Sequence, residues 1–169
     1  IEASSFQLSH SKFISPDYAM LLNITNDHLD WHGSMNNYKK SKLKIFKLQK
    51  KNQYALINKR LKSIFKINKF KSKLIIPRLN KYLKLKDKIK NAYLKSKIND
   101  ENMSFIFEIS KLLNIKEKSF LKSIDNFEGL PHRYEFFLKK KNCIFINDSK
   151  ATSFKASKVA LENSKNIFW

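Results

Sequence analysis

Tyr18 to Asn58 reads YAMLLNITNDHLDWHGSMNNYKKSKLKIFKLQKKNQYALIN. Tyr18 to Thr25 is an apolar run of strand length, closed by the polar cluster Asn26-Asp27-His28. Ser34 is placed to cap a helix that runs to Lys47, with Met35, Tyr38, Leu43, Ile45 and Phe46 on a loose apolar face. Tyr54 to Asn58 is a second pattern of buried-strand type. Strand, helix and strand in that order predict a parallel βαβ unit, and with it an α/β fold.

Outward from this core the signals thin and then return. Lys59 to Lys97 is dense in lysine with scattered Ile, Leu and Phe, and is expected to hold one or two short strands around Leu74 to Ile76. Asn99 to Leu113 reads as a helix, and Lys116 to Phe127 as another with Phe120, Leu121, Ile124 and Phe127 on one face. Gly129-Leu130-Pro131 breaks the pattern and marks a domain boundary, separating 1–130 from 131–169. Beyond it, Tyr134 to Leu138 and Cys143 to Asn147 read as strands joined by the basic turn Lys139 to Asn142, and Ser153 to Asn163 as a capped helix.

A chain of 169 residues can build one ordinary domain or parts of two, and 42% hydrophobic content supplies a core. The formal charge is +21, which by itself points to nucleic acid or an anionic membrane surface. Arginine occurs only at Arg60, Arg78 and Arg133, so all but three of the 35 basic residues are lysine. Nucleic-acid readers draw on the arginine fork. The abundance of Lys, Asn, Ile and Phe, against two glycines and three prolines, matches AT-rich codon usage. No specific nucleic-acid partner is expected. A basic nucleic-acid-binding module stays open as an alternative, supported by aromatics such as Phe65, Phe70 and Tyr82 among the lysines.

Cys143 is the single cysteine, so no disulfide can form within the chain, which fits a reducing compartment. Its place in an apolar run predicts a buried structural thiol. No run reaches transmembrane length and the first residues do not form a signal peptide, so no membrane partner and a cytoplasmic location are expected. Ile1 in place of an initiating Met, and the terminal run Ile167-Phe168-Trp169, read as cut ends.

Three polar clusters interrupt the apolar segments where α/β sheets place ligand sites. They are Glu2 with Ser4, Ser5 and Gln7; Asn26-Asp27-His28 with Asp30, and Lys42 on the following helix; and Asn147 to Thr152. Each has a plain reading: Glu2 a frayed terminal residue, His28 a turn histidine, Asp30 or Ser34 a helix cap, Lys42 one solvated lysine among several.

Taken together, E-A-S-S-F-Q-L (Glu2 to Leu8), L-N-I-T-N-D-H-L-D-W-H-G-S-M-N-N-Y-K-K-S-K (Leu22 to Lys42), G-L-P-H-R-Y-E (Gly129 to Glu135) and N-D-S-K-A-T (Asn147 to Thr152) resemble the signature segments of Mur ligases in order and spacing. The second segment is shared with MurE-type ligases, while S-S-F-Q-L, G-L-P-H-R and N-D-S-K-A-T are similar to the MurD type. The resemblance implies a three-layer mononucleotide-binding ATPase-type domain with a mainly parallel sheet, incomplete here, followed by the start of a Rossmann-like α/β domain. It implies an ATP-dependent ligase of peptidoglycan synthesis, serving cell shape and cell division, monomeric at full length. Its substrates would be ATP, UDP-N-acetylmuramoyl-L-alanine and D-glutamate, joined through an acyl phosphate.

The resemblance also assigns roles. Glu2 and His28 would help hold Mg²⁺, and Lys42 would be carbamylated by CO₂, turning an ammonium repelled by divalent cations into an anionic oxygen ligand. Ser4 and Gln7 would lie near the muramoyl substrate; Asn102, Arg133 and Asp148 would contact ATP; Lys150 and Thr152 would lie where D-glutamate is held. Lys42, His28 and Arg133 would act in catalysis. The family's H-N-x-x-N motif reads Ile98-Asn99-Asp100-Glu101-Asn102, with isoleucine for histidine. A phosphate-cradling loop needs closely spaced glycines, and the chain has only Gly33 and Gly129. In the family that loop lies upstream, so the chain by itself is expected neither to hydrolyse ATP nor to make product. The remaining alternatives are a MurE-type or folylpolyglutamate-synthase-like ligase, or a degenerate gene product.

Overall fold

The structure, a computed structural model, describes residues 1–151, 154–162 and 164–169. The chain divides into two compact units, Ile1–Pro77 and Arg78–Trp169. This is a division by packing and leaves the motif boundary at residue 130 a separate matter.

In the first unit, the short helix α1 (Ser5–His10) precedes strand β1 (Tyr18–Leu21). Helices α2 (Leu29–His32) and α3 (Met35–Lys47) follow, then β2 (Tyr54–Ile57). After a 3₁₀ turn at Lys59–Leu61 come α4 (Lys62–Ile67) and β3 (Lys73–Ile75). The strands form one parallel sheet in the order β1-β2-β3, with Tyr18 opposite Tyr54 and Ala55 opposite Leu74. The βαβ unit is therefore present. β1 is shorter than its apolar run because its pairing with β2 ends at Leu21 and Ile57.

Burial explains the composition of the strands. Ala55, Leu56 and Ile57 of the central strand are all buried, as parallel strands covered on both faces should be. Ala19, Leu21, Leu43, Phe46, Ala55, Ile57, Leu61 and Phe65 form the core, and Phe46, Phe65 and Phe70 meet with ring centroids 5.0–5.7 Å apart. The starts of β1 and β2 are tied by glutamines. Gln49 Nε2 donates to the Pro16 and Tyr54 carbonyls, and Gln53 Nε2 to Ser15 O and Asp17 Oδ1. Ser34 caps α3 as expected, accepting from Asn37 N at 3.2 Å.

In the second unit, helices α5 (Leu79–Lys86) and α6 (Ala92–Lys95) replace most of the lysine-rich uncertainty with helix. Helices α7 (Asp100–Leu112) and α8 (Glu117–Asp125) lie where the periodicity placed them. Tyr82, Leu85, Ile89, Leu94, Met103, Phe107, Phe120 and Ile124 make a second core. β4 (Glu135–Lys140) and β5 (Cys143–Asn147) form an antiparallel hairpin with a register shift between Phe136 and Leu138, followed by α9 (Phe154–Glu162). The expected ends of that helix, Ser153 and Asn163, lie outside the described residues.

One expectation is corrected. Cys143 is exposed, because a two-stranded hairpin has no second layer over its faces. Phe65 and Tyr82 are 5% and 0% exposed and Phe70 packs on the first core, so these three aromatics are core residues. These three rings therefore offer no open face to a stacked base.

Candidate functional site

The first candidate site opens where β1 ends. Asn23 follows β1 directly, α3 delivers Lys42, and the segment before α1 delivers Glu2. These three, with Ala3, Leu8, Met20, Leu21, Leu22 and Ile45, line a pocket of about 220 Å³. Its position at the carboxyl end of a parallel strand is the usual place for a ligand in an α/β sheet. Lys42 Nζ donates to the Asn23 carbonyl at 3.3 Å and stands 5.1 Å from the centre of the Tyr38 ring. Tyr38 lies one helical turn before Lys42 and is buried, so its ring is a fixed wall beside the amine.

His28 does not line the pocket. Its ring lies 4.9 Å from Phe6 and 6.4 Å from Tyr38, so His28 and Lys42 both border the Tyr38 ring. The His28 backbone is left-handed (φ 53°), its N–H donates to Asp27 Oδ1 at 2.9 Å, and Asp27 Oδ2 lies 3.5 Å from Nε2. Asp27 therefore holds the backbone of its neighbour and lies beside its imidazole. Among the described residues, no three His, Cys, Asp or Glu side chains gather as a ready metal cage.

Ser4 and Gln7 are engaged with each other. Ser4 caps α1, its Oγ accepts from Gln7 N at 3.2 Å, and the Gln7 amide oxygen accepts from Ser4 N at 2.8 Å. This capping box sets the direction in which the chain carrying Glu2 enters the helix.

One residue of this region escaped the sequence reading. His32 is buried, with Nε2 3.0 Å from Ser5 Oγ and its ring stacked on Phe6 at 5.6 Å. It joins α2 to α1, and Lys44 joins α3 to α1 by donating to the Ser9 carbonyl. The signal was present in the D-W-H-G-S segment, but a lone histidine on a short helix carries no indication of its partner.

The second candidate site, in the second unit, brings together two motifs that are 14 residues or more apart. The Asn147 amide meets His132 Nδ1 at 2.8 Å, Lys150 N donates to the His132 carbonyl at 3.1 Å, and Tyr134 N donates to Asp148 Oδ1 at 3.0 Å. Glu135 Oε2 accepts from His132 N at 2.8 Å. His132 and Tyr134 both have positive φ, 64° and 47°, a conformation costing about 1 kcal/mol or more per non-glycine residue. The hydrogen bonds to Asn147, Asp148, Lys150 and Glu135 hold them there. Arg133, between the two strained residues, is exposed along with Lys150. Asn102 is exposed in the first turn of α7, and Thr152 lies outside the described residues. His132 and Tyr134 were quoted within the motif without a role; the structure makes them the residues that tie it to the second motif.

With this geometry in place, comparison with known proteins is direct. Residues 1–125 match the Mur ligase middle domain, and the chain belongs to the Mur ligase family. Over 178 residues it is 39% identical to the UDP-N-acetylmuramoylalanine–D-glutamate ligase of Pseudothermotoga lettingae, covering 99% of this chain and 41% of that protein. The enzymes of the same name from Rickettsia felis and Rickettsia prowazekii are each 35% identical over 189 residues, covering all of this chain and 42% of theirs. The chain thus spans about two fifths of the length of these curated relatives.

Proposed function

We propose that the chain is part of an ATP-dependent amide ligase that adds D-glutamate to UDP-N-acetylmuramoyl-L-alanine in peptidoglycan synthesis. The observation that carries the reading is the meeting of Glu2 and Lys42 in one pocket at the carboxyl end of β1. Relatives bearing the name of this activity match nearly the whole chain. Residues 1–130 would complete a three-layer ATPase-type middle domain and 131–169 would begin a Rossmann-like domain. A cytoplasmic, monomeric full-length protein fits this reading.

Mg²⁺ suits the donors here. It usually takes one or two carboxylates and fills its octahedron with water and phosphate oxygens, and Glu2 offers one hard carboxylate to the pocket. Glu2, with His28 and a carbamylated Lys42, would hold it. When bound it would neutralise charge on the nucleotide phosphates.

The chain's own residues have separate tasks. The Lys42 amine attacks CO₂, forming a C–N bond as one C=O bond becomes a carboxylate oxygen, and the amine proton passes to water. Tyr38 and the Asn23 carbonyl hold that side chain in place. Arg133 would stabilise charge on the transferred phosphoryl group, Asp148 and Asn102 would fix the nucleotide, and Ser4 and Gln7 would direct the substrate carboxylate. ATP would phosphorylate that carboxylate, and the D-glutamate amine would displace phosphate from the acyl phosphate to leave the amide. Lys150 and Thr152 would orient the amino acid.

The test is an assay of the full-length protein carrying this segment, with labelled D-glutamate, diaminopimelate and lysine in parallel. Incorporation of D-glutamate, lost in Lys42→Ala, is expected. Incorporation of diaminopimelate or lysine instead would move the protein to the MurE type, and no incorporation at all would sink the proposal.

A further inference from the structure

All fourteen carboxylates of the chain lie outside residues 31–86, a stretch rich in lysine throughout. A codon bias would thin acids everywhere alike and does not empty one segment. Within that stretch the 3₁₀ turn, α4 and the turn into β3 expose Lys59, Arg60, Lys62, Lys66, Lys69 and Lys71. No ion pair among the described residues engages any of the six. Ile67, at the end of α4 between Lys66 and Lys69, is 77% exposed, while Leu61 and Phe65 of the same segment are buried.

We infer that this face docks on an anionic lipid bilayer surface. Clustered lysines act as point charges toward a negative surface and need no matched geometry. Ile67 adds an apolar side chain that can enter the headgroup layer beside them. A nucleic acid would share the charge attraction, but it would gain most from open ring faces for stacking, and the aromatics here are turned into the core. The inference does not depend on the ligase reading. It departs from the expectation of no membrane partner, which rested on the want of a spanning segment; indeed no helix among the described residues is long and apolar enough to cross a bilayer.

The experiment is co-sedimentation of the 169-residue chain with phosphatidylcholine vesicles containing roughly one-third phosphatidylglycerol, at near-physiological salt. Each lysine near such a surface contributes about fivefold in partitioning. Lys62→Gln/Lys66→Gln/Lys69→Gln is therefore expected to weaken binding about 100-fold. Lys139→Gln/Lys140→Gln/Lys141→Gln, on the exposed hairpin turn with the same loss of charge, is expected to weaken it less than about tenfold. All six positions are exposed, and unchanged thermal melts by circular dichroism would establish that both variants fold. Ile67→Ser is expected to lower vesicle binding about fivefold and leave binding to a single-stranded DNA homopolymer unchanged. Equal losses from the two triple variants would reduce the effect to net charge and overturn the inference. So would absent vesicle binding, or tighter binding to the DNA with no effect of Ile67→Ser on vesicles.

Discussion

Gln49 has its amide group fully enclosed between the start of β1 and the start of β2. Removing it withdraws the donor from two part-buried carbonyls, each costing about 1–3 kcal/mol, against the relief of Gln49 Oε1, which is buried without a partner among the described residues. Gln49→Ala should therefore lower stability by roughly 2–4 kcal/mol in urea titrations; a loss near zero would mean water replaces the amide. Tyr82 offers a pH test. Burial, and then the Asp100 carboxylate, push its phenol up from 10.0 to about 12. The folded chain holds this proton more tightly than the unfolded one, so the contribution is intact below pH 10 and fades as pH rises toward 12. Wild type should lose urea resistance between about pH 10 and pH 12 more steeply than Tyr82→Phe. Equal slopes would place the effect elsewhere. Lys42 is tested chemically: full-length protein equilibrated with ¹³C-bicarbonate should give a carbamate carbon resonance that Lys42→Arg lacks.

At the scale of elements, α3 does two jobs. Leu43 and Phe46 bury one face in the core with the sheet, Tyr38 is buried beside His28 and His32, and Lys42 leaves the same helix at the pocket edge. The helix is fixed at its start by Ser34, so Ser34→Ala should cost about 1 kcal/mol. Phe46, wholly buried between Phe65 and Phe70, should cost about 3–5 kcal/mol as Phe46→Ala. Chemical denaturation measures both, and a ranking reversed between them would contradict this packing. The helices and strands around this core were legible because their apolar spacing matches the period of each element. Between Lys59 and Lys97 it was not: α4, α5 and α6 are short, and lysine stems cover apolar surface while keeping their charge in water. Polarity there says little about which face is buried.

At the scale of the molecule, the same crowding of positive charge should act on stability. Residues 31–86 repel one another without a carboxylate among them, and salt screens such repulsion over about 10 Å at 0.1 M. Raising salt from roughly 0.02 to 0.2 M should increase the melting temperature by a few degrees; a decrease would mean that attractive pairs dominate. The purified chain should show no Mg²⁺-dependent ATP turnover, since its two glycines cannot form a phosphate loop. Measurable turnover would contradict that.

Residue types and spacing alone determined the α/β class, the βαβ order and the capped α3, because these depend on local periodicity and on side chains adjacent along the chain, while the family was legible through the resemblance of its motif segments. Tertiary structure decided what depends on distance across the fold. It placed Glu2 and Lys42 on one pocket and His28 beside it, across the Tyr38 ring. It bound His32 to Ser5, and it folded the motif at His132 onto the motif at Asn147. Those meetings require a buried core to bring remote segments within hydrogen-bonding range, and no short stretch of chain encodes its partner's position.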